Sequence, residues 1–346
     1  MACHLCYALS LRSMERRTGR QSAYTNRLCF RHLPKLVMTQ QAPVIGEEAI
    51  ARRKYWIEEL KKLSGKCGDD YAKLEGELIA EIKVGGYGTS IDHLRLCGDI
   101  PESYEHDSSE EKLYSKYTDA LLCEAYKMIG LKSLVLKERG DASDVEAFGK
   151  DGSFSFVADA KAFRLSRTAK NQKDFKVQAM DGWKYGKPFA MVVCPIYQLP
   201  VRSSQIYQQA SARNVCIFTY SHLTMLVNYS QAVSTDSAEE LLHLVFKTVQ
   251  AMNPTKDAAT YWMGVNQTIF GFDKAILEFW EAEKRASVES IAIAKAVALT
   301  FLASERERIM RMSHEQALIE LIKINKIESK IVTIQGVEDT RVLEVL

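Results

Sequence analysis

The sequence predicts an α/β protein: a mixed sheet flanked by helices, with added N- and C-terminal helices. Two observations support this class. Short β-branched and aromatic runs indicate strands near 132–136, 144–148, 154–161, 189–194 and 215–219. Apolar residues at helical spacing indicate helices around them, at 45–63, 70–84, 108–129, 169–184, 203–212, 237–251, 272–303 and 313–326. The last two strands are apolar throughout, as expected when helices cover both faces of a sheet.

The strand predicted at 154–161 ends in charged residues. Side chains alternate faces along a strand, so Asp159 and Lys161 lie on one face. The turn-like segment 149–152 predicts a hairpin that pairs 144–148 with 154–161 and brings Asp144 near Asp159. Burying an acid and a base at the end of an apolar strand costs free energy, so the pair suggests a functional role. On its own, Asp-x-Lys is more often a surface salt bridge than a catalytic pair.

A basic segment follows that strand. Residues 161–187 contain eight Lys or Arg and two Asp, hence 8 − 2 = +6, whereas the whole chain carries +2. A cationic segment beside carboxylates suggests a phosphate-bearing polymer and a metal ion. The candidate contacts to such a polymer are Arg164, Ser166, Arg167, Lys170, Asn171, Lys173 and Lys176. If the polymer is DNA, Arg164, Arg167, Asn171 and Lys173 have side chains that can read base edges, although phosphate anchoring is the commoner role of such residues.

The motif Val157-Ala158-Asp159-Ala160-Lys161 and the polar run at 163–177 resemble type II restriction endonucleases of the PD-(D/E)xK superfamily. Looser similarity extends from about residue 94 to about residue 222. The resemblance implies that Asp144, Asp159 and the backbone carbonyl of Ala160 bind Mg²⁺, and that Lys161 is catalytic. Hard carboxylate and carbonyl oxygens suit that ion.

Glu111 has two interpretations that the sequence leaves open. Ser108 has the character of a helix N-cap, so Glu111 would stabilise the first turn. The family resemblance implies instead that this first core helix lends a Glu to the metal site, with Glu111 in the matching Glu-Lys-Leu motif.

Lys161 also has two possible roles. A lysine acts as a general base near neutrality only if its pKa falls well below the ordinary value of about 10.4. Two neighbouring carboxylates favour the charged form instead. We therefore expect a charged Lys161 that orients the attacking water and stabilises the transition state, with deprotonation by lysine as the lesser alternative.

The resemblance to one member of this family also implies a substrate: double-stranded DNA with the palindrome AAGCTT, cut after the first A. Cleavage of both strands of a palindrome calls for a homodimer. A cognate DNA methyltransferase is the expected system partner, without a stable complex. The alternatives are a repair or recombination nuclease of the same fold without strict specificity, and a DNA-binding protein with an inactive core.

The chain is expected to divide into four parts, at 1–37, 38–107, 108–230 (the catalytic core) and 231–346. The basic segment 1–37 has no clear hydrophobic period and is expected to be disordered or non-native, although its composition also allows a transit peptide. Eight scattered Cys indicate reduced thiols in a cytosolic protein, and the family resemblance implies a bacterial source. No membrane span is expected, because the longest apolar run, 288–303, contains Glu289 and Lys295.

Overall fold

The structure is a computed structural model that describes residues 42–63, 67–136, 142–167, 172–253 and 257–336. The predicted segment 1–37 lies outside these residues. The helices are α1 (Glu47–Lys62), α2 (Cys67–Leu96), α3 (Ser109–Ile129), α4 (Gln172–Phe175), α5 (Val177–Gly182), α6 (Ile206–Ala212), α7 (Tyr220–Ala232), α8 (Thr235–Ala251), α9 (Ala258–Phe272), α10 (Ile276–Met310), α11 (His314–Ile324) and α12 (Ile327–Gln335). The strands are β1 (Lys132–Val135), β2 (Val145–Phe148), β3 (Ser155–Ala160), β4 (Phe189–Cys194) and β5 (Val215–Thr219).

The five strands form one mixed sheet in the order β1-β2-β3-β4-β5. The first three are antiparallel neighbours, and β3, β4 and β5 run parallel. Val145 pairs with Ala158, so Asp144 and Asp159 are adjacent across the hairpin. Every residue of β4 and β5 is buried, as expected for strands covered on both faces. The predicted α/β class, with a mixed sheet flanked by helices, is confirmed.

Helix α3 positions the site because it packs against β1, β2 and β3. It begins where the sequence predicted: the Ser108 hydroxyl accepts a hydrogen bond from the backbone N–H of Glu111 at 3.2 Å. It ends at Gly130, whose φ of 105° is a left-handed conformation that glycine adopts without strain. Helices α2 and α7 pack against α3 and hold it on the sheet.

The predicted helix 70–84 ends at a glycine, as expected: Gly86 leaves helical geometry, with φ 71° and ψ −166°. A second helical segment, which was not predicted, follows this kink and continues to Leu96. The physical reason is that glycine permits this conformation within a kink, while the buried Ile91 and Leu94 keep the second half packed on the core.

The predicted helix at 169–184 is two short helices, α4 and α5, separated by Lys176 in a left-handed conformation with φ 46°. Three helices were missed: α7, α9 and α12. Of these, α7 is buried on nearly all sides, so it lacks the one-sided apolar period by which a surface helix is identified. Four partly buried aromatic residues of α9 and α10 pack against the core: Phe270, Phe272, Phe279 and Trp280.

Helix α10 corrects the expectation that no apolar run is long enough for a membrane. It has 35 residues and contains an 18-residue window of mean hydropathy 1.6, only 11% of which is buried. By length and composition alone it could therefore cross a bilayer. Its exposed apolar surface requires a separate explanation.

Candidate active site

Three carboxylates meet where the β2–β3 hairpin lies against α3. Each of Asp119, Asp144 and Asp159 has a carboxylate oxygen within 4.8 Å of the other two. Asp159 lies on β3 and is 1% exposed, Asp144 immediately precedes β2, and Asp119 lies in the middle of α3 and is 2% exposed. Residues from a strand, a strand end and a helix thus form one acidic cluster.

Two lysines border this cluster. The Lys161 ammonium contacts the Asp159 carboxylate, which confirms that the two side chains share a face. The Lys116 ammonium, on α3, lies 3.0 Å from Asp144 Oδ1 and 3.5 Å from Asp119 Oδ2. With all five groups charged, three negative charges face two positive ones, which leaves the cluster at −1.

Burial and charge together perturb these groups. Burial raises the pKa of Asp119 well above its usual range; the Asp144 and Asp159 carboxylates raise it further, while Lys116 and Lys161 oppose the shift. Burial lowers the pKa of Lys116, but the Asp119 and Asp144 carboxylates outweigh it and raise that pKa above the ordinary value. The site therefore has unbalanced negative charge in its most buried part.

A divalent metal ion fits this arrangement. The ligand atoms are hard carboxylate oxygens, which Mg²⁺ and similar ions prefer. A buried acid with a raised pKa is one that a cation would stabilise in its charged form. Asp119, Asp144 and Asp159 are therefore the residues that could hold the ion.

Glu111 is not in this cluster. It lies at the beginning of α3, two turns or about 12 Å along the axis from Asp119. One of its carboxylate oxygens accepts from the Asp107 backbone N–H at 2.7 Å, and the other lies 3.4 Å from Arg164. It belongs to a separate group with His106 and Asp107, which are exposed. The acid that α3 brings to Asp144 and Asp159 is Asp119.

Sequence reasoning missed Asp119 and Lys116. The available signal was an acid within an otherwise buried stretch of α3: Thr118, Ala120 and Leu121 around it are all buried. Acidic residues are almost never fully buried without a partner. An aspartate inside such a stretch is therefore a candidate site residue.

A further residue that the sequence did not suggest is Tyr220. Its hydroxyl donates a hydrogen bond to the backbone carbonyl of Lys161 at 3.0 Å. It is the first residue of α7, whose N-cap Thr219 accepts from the His222 backbone N–H. Tyr220 is buried, so this contact fixes the backbone on which Lys161 is mounted.

The structure changes the interpretation of Arg164. Its guanidinium donates to the carbonyls of Pro101, Tyr104 and Glu105 at 3.1, 2.7 and 3.1 Å, and its side chain is 13% exposed. These contacts commit the guanidinium to the protein backbone and fix the segment 101–105 beside it.

The other predicted DNA contacts differ in exposure. Ser166 donates through its backbone N–H and its hydroxyl to Glu102, at 2.9 and 2.8 Å. Arg167 is 47% exposed, contacts Asp174 and lies over the Phe163 ring. Lys176 is exposed and lies over the Trp183 ring. Lys170 and Asn171, and the side chain of Lys173, lie outside the described residues.

The five-stranded mixed sheet flanked by helices is consistent with a restriction-endonuclease-like core. The HindIII restriction endonuclease family model matches residues 53–338. The type II restriction enzyme HindIII of Haemophilus influenzae is 30% identical over 284 residues, which cover 80% of this chain and 93% of the relative. The chain belongs to the HindIII restriction endonuclease family and is a type II site-specific nuclease. The similarity extends well beyond residue 222, where the sequence motifs had become too few to follow.

Proposed function

We propose that this protein hydrolyses phosphodiester bonds of double-stranded DNA at the palindrome AAGCTT, after the first A, with Mg²⁺ as cofactor. The observation that supports the chemistry is the cluster of Asp119, Asp144 and Asp159 beside Lys161. The specificity is supported by the 30% identity to the type II restriction enzyme HindIII and by the resemblance of the polar run at 163–177 to that family.

Asp119, Asp144 and Asp159 hold the metal ion in this proposal, together with the backbone carbonyl of Ala160, which lies between Asp159 and Lys161. When bound, Mg²⁺ would acidify a water and offset the charge that develops on the phosphate. Glu111 takes no ligand role, because it is engaged at the beginning of α3.

Lys161 acts on the attacking water and the developing charge. Its side chain is 12% exposed and contacts the buried Asp159 carboxylate. A charged ammonium at this place orients the water and stabilises the pentavalent transition state. The hydrogen bond from Tyr220 to the Lys161 carbonyl keeps that orientation fixed.

DNA contacts are assigned to Arg167 and Lys176, and to Lys170, Asn171 and Lys173. Arg164 and Ser166 contribute by holding the segment 101–105 beside them. About six cations on phosphates would make the logarithm of DNA affinity fall with the logarithm of salt concentration at a slope of roughly −5. Because Arg164 is committed to backbone carbonyls, fewer cations remain for phosphates, and the measured slope should be shallower.

Two copies of the chain act together on one palindrome, since each strand needs its own catalytic centre. We assign the protein to the bacterial cytoplasm, where a cognate DNA methyltransferase protects the host DNA without forming a stable complex with it.

Digestion of a plasmid of known sequence tests this function. Discrete fragments ending at AAGCTT are expected with Mg²⁺, and none with EDTA or with Asp159→Ala. A smear of random fragments would contradict the specificity and favour a repair or recombination nuclease. Specific binding without any cleavage would identify an inactive DNA-binding protein.

Asp119→Asn is expected to stabilise the metal-free protein at neutral pH. The pKa of Asp119 is higher in the folded than in the unfolded state, so ionisation of this carboxyl favours unfolding. The acid therefore destabilises the fold at pH values above its unfolded-state pKa of about 3.9. The melting temperature in EDTA should therefore be higher than the parent's at pH 7, and this gain should disappear as pH falls toward about 4. Thermal unfolding between these pH values measures the effect.

Mg²⁺ should reverse this ranking. An ion at 100 times its dissociation constant stabilises the parent by about 2.7 kcal/mol, whereas the variant lacks one ligand. Asp151→Asn, in the exposed hairpin turn, serves as the control and should show no such gain. A lower melting temperature for Asp119→Asn at pH 7 in EDTA would contradict the electrostatic account.

Lys116→Met is expected to bind divalent metal about tenfold more tightly than the parent. The Lys116 ammonium lies 3.0 Å from Asp144 and competes with a cation for the same oxygens, although its partial exposure moderates the effect. Titration calorimetry with Mn²⁺ measures the affinity. Lys112→Met is the matched control, since Lys112 lies on α3, one turn earlier, and is exposed. Unchanged or weaker binding by Lys116→Met would exclude this competition.

A further inference from the structure

The carboxyl-terminal helices expose an extended apolar surface. We define the C-terminal arm as residues 299–335, which comprise the end of α10, α11 and α12. Neither α11 nor α12 has a buried residue, and the buried residues of α10 all precede the arm. Large apolar side chains that are at least 40% exposed number four on the α10 segment, five on α11 and four on α12.

This arm is an ordered element and not a loose apolar tail. Helix α11 begins with a capping box, in which the side chains of Ser313 and Gln316 each bond the other residue's backbone N–H. The Arg308 guanidinium lies 3.5 Å from the Glu320 carboxylate and joins α10 to α11. Large exposed apolar areas on folded helices mark interaction surfaces.

The size of this surface matches a stable interface. Full burial of a Leu or Ile side chain contributes about 1.5–3 kcal/mol. At about 25 cal/mol per Å², this corresponds to roughly 60–120 Å² of apolar surface removed from water. Thirteen such side chains, about half exposed, therefore offer on the order of 600 Å² of apolar area. A standard interface buries about 800 Å² per partner, of which somewhat more than half is apolar.

The charges favour a second copy of the chain as the occupant. A two-fold interface must be self-complementary. Helix α11 has Glu315 in its first turn and Lys323 in its last, and neither forms an ion pair within the part of the chain described. Antiparallel pairing of two α11 helices sets each Glu315 beside the Lys323 of the other copy. A bilayer-spanning α10 would instead place Glu289 and Lys295, which lie within its apolar run, in the hydrocarbon, at about 2.5–3.5 kcal/mol for each charged residue at its centre.

We propose that the C-terminal arms of two copies pack together and form the homodimer. This inference rests on the proposed function in one respect, since cleavage of a palindrome requires two copies. It goes further by naming the surface that joins them. The arm lies outside the residues that form the carboxylate cluster, so dimerisation and metal binding can be disrupted separately.

Sedimentation equilibrium of the full chain without DNA, in EDTA, tests the arm. The parent is expected at twice the chain mass. Leu318→Glu/Ile322→Glu, with both changes on exposed positions of α11, should sediment at the single chain mass with an unchanged circular dichroism spectrum, its dimer weakened about 100-fold or more. Val84→Glu/Val201→Glu is the matched control at exposed positions outside the arm and should remain dimeric.

A monomeric parent, or a variant that stays dimeric, would overturn the proposal. Flotation of the parent, but not of the arm variant, with phosphatidylglycerol vesicles would also overturn it, in favour of a membrane. Plasmid digestion with the same samples distinguishes failure of the dimer proposal from failure of the proposed function. If the parent is monomeric but cuts the plasmid into discrete fragments, only the arm-mediated dimer is excluded. If the arm variant is monomeric and the dimeric parent cuts at random, only the proposed sequence specificity is excluded.

Discussion

Asp159→Asn is expected to lower the rate of DNA cleavage by at least about 10³-fold. Asp159 is 1% exposed, lies on β3 and is shared between the carboxylate cluster and Lys161, so its charge supports both metal binding and the orientation of the lysine. Metal-ion catalysis stabilises the transition state by several kcal/mol, and each 1.36 kcal/mol corresponds to a factor of ten in rate. Single-turnover cleavage of an oligonucleotide duplex measures this loss.

The Asp159→Asn substitution should weaken metal binding and slow the cleavage step without changing DNA affinity. Binding of the same duplex in EDTA should change little, because the substitution removes no contact to DNA. Asp151→Asn, an equivalent change at the other end of the same hairpin, should cleave like the parent. Cleavage by Asp159→Asn within tenfold of the parent would place the catalytic centre elsewhere.

Lys161→Arg is expected to lower cleavage by about 10²–10³-fold, which is the usual cost of removing one well-placed transition-state donor. Arginine keeps the positive charge but replaces a compact ammonium with a planar guanidinium that has a fixed donor geometry. The parent side chain is 12% exposed and contacts Asp159, so the larger group cannot occupy the same position. The loss should appear in the single-turnover rate at saturating enzyme, and not in duplex affinity.

Lys150→Arg is the matched control, because Lys150 lies exposed in the hairpin turn, where it contacts Asp236. It should retain the parent rate. Near-parent cleavage by Lys161→Arg would show that charge alone suffices at this position, and would exclude an oriented ammonium as the source of catalysis.

The sheet and half of the cluster could be predicted because their signals are local. The hairpin follows from the glycine-bounded turn at 149–152 and the alternation on either side of it. Its register places Asp144 opposite Asp159, and Lys161 shares the face of Asp159 because only one residue separates them. These relations need no knowledge of the rest of the fold.

The third carboxylate could not be predicted in the same way. Asp119 reaches the hairpin only because α3 packs against β2 and β3, and nothing local to Asp119 reveals that contact. Glu111 was the natural choice on motif grounds, yet the helix places it about 12 Å away along its axis. The protein contacts of Arg164 could not be predicted for a related reason. The basic composition of its segment does not show that the carbonyls of 101–105 lie within reach of its guanidinium.

The location of bound metal tests the central claim most directly. Crystals of the protein soaked with Mn²⁺ would show the ion by its anomalous scattering. We expect a peak coordinated by Asp119, Asp144 and Asp159, with the Lys116 side chain displaced from Asp144. A peak at the exposed group of His106, Asp107 and Glu111, with none at the buried cluster, would contradict the assignment of the catalytic centre.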